Sequence, residues 1–180
     1  MVIALAGRRV DAPHAKEPRF PSEKLDVVKS RLHDLFKRHQ AKALVCSAAC
    51  GTDLLALQVA GDLGIRRRVV LPYKADVFRR TSVVDRPGDW GEPYDQVIDQ
   101  IQKTKDFVVL GYAEDDSAAY SATNLAILDH AAKIAGEAKL PIAAVIVWDG
   151  KSRGPEDFTE QFKNEARSRG IEVIEVRTLD

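Results

Sequence analysis

Short, near-continuous apolar runs alternate along this chain with longer stretches in which apolar residues recur every three to four positions. The strand runs are Val2 to Ala6, Ala43 to Cys46, Arg68 to Leu71, Phe107 to Gly111, Ile142 to Trp148 and Ile171 to Val176, apolar apart from Arg68, Glu172 and Glu175. Strands without a polar alternate are buried on both faces. The periodic stretches predict helices. Phe20-Pro21 opens the first, with Leu25, Val28, Leu32, Leu35 and Phe36 in phase, and Thr52 to Leu63 forms the second, closed by Gly64. A weaker helical segment runs from Tyr73 to Val83. Three more helices carry Tyr94, Val97, Ile98 and Ile101; then Tyr120, Asn124, Ile127, Leu128, Ala131 and Ile134; then Phe158, Phe162 and Ala166. Asp85 to Pro93, with two prolines, two glycines and Trp90, reads as irregular and as a place for a functional lid.

Alternating strands and helices of this kind predict a parallel sheet covered on both sides, because right-handed crossovers place a helix between successive strands. The expected fold is therefore α/β, a Rossmann-like doubly wound, mainly parallel six-stranded sheet. A length of 180 residues suits one domain spanning 1–180. Such sheets bind ligands beyond the carboxyl ends of their strands, where the strand order reverses. Gly7, Ser47, Pro72, Gly111 and Asp149 fall at those ends.

Composition narrows the partners. The 27 basic residues balance 27 acidic ones, so no global field draws the chain to nucleic acid, and a nucleic-acid partner is not expected. No apolar stretch approaches membrane-spanning length, and Met1 to Gly7 is too short an apolar start for a signal peptide before Arg8, Arg9 and Asp11. The expected location is the cytoplasm. Cys46 and Cys50 fit neither a Cys-x-x-Cys redox motif nor half of a zinc site; they read as small reduced thiols, with a ligand-facing Cys50 as the alternative. No metal motif is present.

The turn Ser47-Ala48-Ala49-Cys50-Gly51-Thr52 joins a buried strand to a helix through small side chains that admit a close backbone approach. Helix N-termini offer N–H groups and partial positive charge to a phosphate or carboxylate, and Ser47 and Thr52 add hydroxyls. Asp53 caps that helix and would repel a phosphate, so it either faces away or takes ribose hydroxyls. Arg8 or Arg9, after the Gly7 turn, is the cationic anchor expected for the ligand; the alternative is an arginine paired with a carboxylate such as Asp11. Pro72-Tyr73-Lys74, Arg80 and Asn124 complete the candidate binding residues, with Asp149 at the end of the fifth strand. No Ser/His/Asp or Cys/His arrangement emerges, and His14 is the histidine nearest the expected site.

Gly7-Arg8-Arg9-Val10-Asp11-Ala12-Pro13, Pro18-Arg19-Phe20-Pro21, the segment from Cys46 to Leu57, Leu71-Pro72-Tyr73, Phe78-x-x-Thr81-Ser82-Val83 and Val147-Trp148-Asp149-Gly150 together resemble an uncharacterised bacterial branch of the SLOG superfamily, related to DNA-processing protein A and the LOG proteins. The resemblance implies a Rossmann-like domain that binds or senses a nucleotide or nucleotide derivative, with a phosphate at the 47–52 turn and the following helix N-terminus. No cofactor is required, although a bound nucleotide or phosphate is expected, and related domains self-associate as homo-oligomers. The LOG branch implies a phosphoribohydrolase, but its Pro-Gly-Gly-x-Gly-Thr-x-x-Glu motif is replaced here by Gly111-Tyr112-Ala113-Glu114-Asp115-Asp116. Glu114, Asp115 and Asp116 are then the carboxylates that would steady an oxocarbenium-like sugar, the alternative being a solvated acidic loop. Three functions stay open: nucleotide binding or sensing, nucleotide N-glycosidic hydrolysis, and a structural or interaction domain with a vestigial cleft.

Overall fold

The computed structural model describes residues 1–179. These build strands β1 (Val2–Gly7), β2 (Ala43–Cys46), β3 (Arg66–Leu71), β4 (Phe107–Val109), β5 (Ile142–Trp148) and β6 (Glu172–Arg177). The helices are α1 (Leu25–Arg38), α2 (Thr52–Asp62), α3 (Ala75–Ser82), α4 (Gly91–Ile101), α5 (Ala119–Ala138) and α6 (Phe158–Ser168), with one 3-10 turn at Ser22–Lys24 ahead of α1.

The sheet order is β4-β3-β2-β1-β5-β6 and every neighbouring pair is parallel, as expected of a doubly wound α/β fold. The chain steps outward from β1 through β2 and β3 to the edge at β4. Helix α5 then carries it back across the sheet to the far side of β1, where β5 pairs in register from Val2↔Ile142 to Gly7↔Val147. The winding therefore reverses between β1 and β5, and a crevice opens beyond their carboxyl ends.

Helices cover both faces. Ile3 and Leu5 of β1 join α1, α2 and α4 in one apolar cluster, while Val2 and Ala4 join α5 and α6 in the other. Each such Leu or Ile, fully withdrawn from water, contributes about 1.5–3 kcal/mol. Helix α2 is buried almost all round, from Thr52 to Leu57 and again at Val59 and Ala60, because α1 and α4 pack against it as well as the sheet.

Several boundaries move for local reasons. β3 begins at Arg66, because Arg66 and Arg68 both hydrogen-bond Asp106, just ahead of β4, which lets charged residues enter the strand. Segment 73–83 contains a true helix, α3, whose Phe78 and Ser82 are buried. Gly91 to Pro93, expected to be irregular, is the first turn of α4; proline is tolerated there because the N–H it lacks would have no partner within the helix. Trp90 is buried and its indole N–H donates to the Pro87 carbonyl at 2.8 Å, so the preceding loop is packed down on itself. Among the described residues no helix is long and apolar enough to cross a membrane, and no group of His, Cys, Asp and Glu is arranged to hold a metal ion.

Candidate functional site

The reversal point holds an open cleft of about 490 Å³, within the size range of small-molecule sites. Its floor is the end of β1. Gly7 is required there by space: a Cβ would come within 2.6–2.7 Å of the Thr52 side chain and the Val147 carbonyl. Ser47, Ala49 and Asp53 form one wall, Tyr120, Thr123, Asn124 and Ile127 of α5 another, and Arg153, Asp157 and Phe158 a third. Arg9 and Arg86 approach from the remaining side. The rings of Tyr120 and Phe158 lie 5.5 Å apart at 38°, a partly apolar surface inside an otherwise polar cleft.

The two arginines after Gly7 have separate fates. Arg8 lines the cleft but is 2% exposed and engaged through four of its five N–H groups: its guanidinium forks onto Asp157 at 2.6 and 2.8 Å, donates to Asp149 at 3.0 Å and to the Lys151 carbonyl at 2.6 Å. It clamps β1 to the end of β5 and to the cap of α6, where Asp157 also accepts from the N–H groups of Thr159 and Glu160. An arginine so neutralised is a structural clamp, and its carboxylate partners are Asp149 and Asp157; Asp11 instead accepts from the Arg19 and Phe20 N–H groups. Arg9 pairs with Asp85 through one terminal nitrogen, while its Nε is buried without a partner. Ser47 Oγ is likewise buried and unpartnered. Both residues line the cleft.

The turn at 47–52 is built differently from the phosphate cradle expected of it. The Thr52 N–H and hydroxyl both donate to the Arg8 carbonyl, at 3.2 and 2.8 Å. The Cys50 N–H is taken by the Ser82 carbonyl, and that of Leu54 by the Ala49 carbonyl. Gly51, at φ 89°, presses against the β1 loop, with a would-be Cβ 2.7 Å from Val10 N. Gly51 and Thr52 therefore hold the turn against the end of β1, Ala48 is buried in the core, and the cleft wall is left to Ser47, Ala49 and Asp53. Asp53 is 8% exposed and accepts the Ala49 N–H at 3.1 Å. Burial pushes its pKa up to about 7, against the opposing pull of that N–H and of Arg9.

Other sequence candidates separate according to strand order. Asn124 lines the cleft and donates to the Phe158 carbonyl at 2.8 Å. Pro72 ends β3, two strands from β1, and lies outside the cleft. Arg80 is exposed and forks onto Glu114. Glu114, Asp115 and Asp116 follow β4, at the sheet edge, and none lines the cleft; Asp116 instead caps the backbone N–H of Ala118 at 2.8 Å. His14 is exposed and outside the cleft, and Cys46 and Cys50 are buried free thiols whose pKa burial raises.

Sequence reasoning passed over Arg153, Tyr120 and the Asp157-Phe158 pair. Asp157 had a signal, since Asp157 with Glu160 three residues on is a helix-start pattern ahead of an apolar phase. Arg153 had none. Among the described residues its guanidinium has neither a hydrogen bond nor a carboxylate partner; partial burial and the neighbouring Arg8 hold its pKa below the ordinary value. Among the described residues it has no counter-ion within ion-pair distance, and Asp157 and Asp149 act on it only from further away. Tyr120 belongs to a run of hydroxyls in which its OH lies 2.8 Å from that of Tyr73 and 3.1 Å from Ser82 Oγ.

No protein-family model matches the chain, and no curated protein matches it. Among solved structures, DNA processing protein A (DprA) from Streptococcus pneumoniae is similar at 14% identity with a TM-score of 0.38, covering 93% of this chain and 61% of that one. The chain thus spans less than two thirds of that protein's length.

Proposed function

We propose that the chain binds a nucleotide or nucleotide derivative in the cleft between β1 and β5. One observation carries this reading: the cleft is open where the strand order reverses, and two polar atoms, Arg9 Nε and Ser47 Oγ, are buried there without partners. A crevice filled by its own side chains would have fitted a purely structural domain. The anionic part of the ligand lies against Arg9, Ser47 and the unpaired Arg153, and the base against Tyr120 and Phe158. The phosphate is thus bound by side chains, and α2 contributes little to it, because the Thr52 and Leu54 N–H groups of its first turn already donate to the Arg8 and Ala49 carbonyls. The resemblance to SLOG domains is consistent with the same ligand class.

The test is a thermal-shift and calorimetry panel of nucleoside mono- and diphosphates, dinucleotides and ADP-ribose, with a short oligonucleotide included. A binder present at one hundred times its Kd stabilises the fold by about 2.7 kcal/mol. Ser47→Ala combined with Arg153→Ala should weaken the interaction at least tenfold. Absence of any shift across the panel overturns the proposal, and a response to the oligonucleotide alone redirects it to nucleic acid.

A further inference from the structure

Asp53 is buried more deeply than its local task requires. Capping the Ala49 N–H occupies only Oδ2, and a neutral Asn or Ser side chain could accept that bond without withdrawing a charge from water. The other oxygen, Oδ1, makes no hydrogen bond among the described residues, and the residue lines the cleft. No cation stands within ion-pair distance of it among the described residues: Arg9, the nearest by its electrostatic influence, is paired with Asp85. The chain thus holds a carboxyl 8% exposed at the cleft wall, with half of its accepting capacity unfilled. Burial raises its pKa to about 7, and the single N–H from Ala49 and the pull of Arg9 only partly offset that.

The chemistry of the missing donor follows from charge. An anionic group is repelled by the carboxylate and is drawn instead to Arg9 and Arg153 on neighbouring parts of the wall. Where Asp53 is ionised, the portion of ligand beside it is therefore neutral and carries O–H or N–H. In a nucleotide the neutral donors next to the phosphate are the sugar hydroxyls. We infer that Asp53 Oδ1 accepts a hydrogen bond from a ribose hydroxyl, so that the cleft selects ribonucleotides over their deoxy counterparts. This inference rests on the nucleotide reading above. A ligand without the hydroxyl leaves the buried acceptor unpaired, and hydrogen bonds to charged groups are strong enough to give about a ten- to hundredfold discrimination.

Calorimetry on the full chain at about pH 8.5, where Asp53 is ionised, provides the test. The probes are AMP, GMP, CMP, UMP and ADP-ribose, each against its 2′-deoxy and 3′-deoxy forms. Wild type should prefer the ribo form at least tenfold over one of the two. Asp53→Asn keeps the Ala49 cap through its amide oxygen, and should lose the preference by weakening the ribo form alone, while the deoxy form binds at least as well as to wild type. Asp53→Ser serves as a second variant, and the comparison in wild type needs no substitution at all. Equal affinity of wild type for ribo and deoxy forms overturns the inference, as does equal weakening of both by Asp53→Asn. Binding without discrimination sinks the ribose assignment alone, whereas no binding by any probe sinks the nucleotide reading itself.

Discussion

Replacing Arg8 with methionine keeps the length of the apolar stem and removes the charge that joins β1 to the end of β5 and the start of α6. The partners left behind are buried, with the side chains of Asp149 and Asp157 exposed by 2% and 1%. Breaking a buried pair from one side costs about 3–5 kcal/mol. Here Asp157 keeps the N–H groups of Arg153, Thr159 and Glu160, and Asp149 keeps Arg19 at 2.8 Å, which argues for the lower end, about 3 kcal/mol. In a chain of this length that lowers Tm by about 6–12 °C. Burial alone would raise the Asp157 pKa, but the bonds from Arg8 and the backbone more than offset it, so the carboxyl titrates below its ordinary range. Its stabilisation is therefore present above the unfolded pKa of about 3.9 and is lost as pH falls through the lower folded value. Urea unfolding of wild type, Arg8→Met, Asp157→Asn and the double variant measures the coupling. The double variant should be more stable than the sum of the singles implies by at least about 1 kcal/mol, and Arg8→Met should have a weaker acid dependence below about pH 4. A loss under about 1 kcal/mol in Arg8→Met, or strict additivity, would refute the clamp.

Gly51→Ala places a Cβ 2.7 Å from Val10 N at a φ of 89°, and should cost at least about 2 kcal/mol, read as a Tm drop of about 4–8 °C; a neutral effect would mean that the turn relaxes freely. Asp53 has a folded pKa far above its unfolded one, so the unfolded chain releases its proton first and stability falls as pH rises from about 4 to about 7, by on the order of 4 kcal/mol. Asp53→Asn should abolish that slope in urea titrations at pH values across this window, and an unchanged slope would assign it to another group. Arg80→Ala and Glu114→Ala, on the exposed pair at the β4 side, should leave both Tm and nucleotide affinity at wild-type values; loss of binding in either would place the ligand outside the β1–β5 cleft.

The architecture was legible where burial is two-sided. Ala43–Cys46 and Ile142–Trp148 are apolar throughout, and both strands have the ends their sequences indicate. Boundaries drifted where charge intrudes, as at Arg66, whose fitness for a strand depends on Asp106 some 40 positions away. The candidate site was legible only in part, because the ends of all six strands look alike in sequence while only β1 and β5 flank the reversal. Gly7, Arg9, Ser47, Asp53 and Asn124, singled out from local chemistry, line the cleft at the reversal. Glu114, Arg80 and Pro72 lie outside it, because nothing local reveals that β3 and β4 lie outboard of β2. Arg8 looked like an anchor because its two carboxylates arrive more than 140 residues later in the chain.

That separation has a consequence during synthesis. β1 leaves the ribosome ahead of the other strands, yet Asp149, which meets Arg8, emerges 141 residues behind it. At about 5–20 residues per second the delay is on the order of 10 s. Throughout it the nascent chain can pair β1 with β2, while the opposite edge of β1 is bare and the Arg8 charge remains in water. The cleft is thus assembled in two stages: its floor comes with β1, and its last wall arrives only with α6.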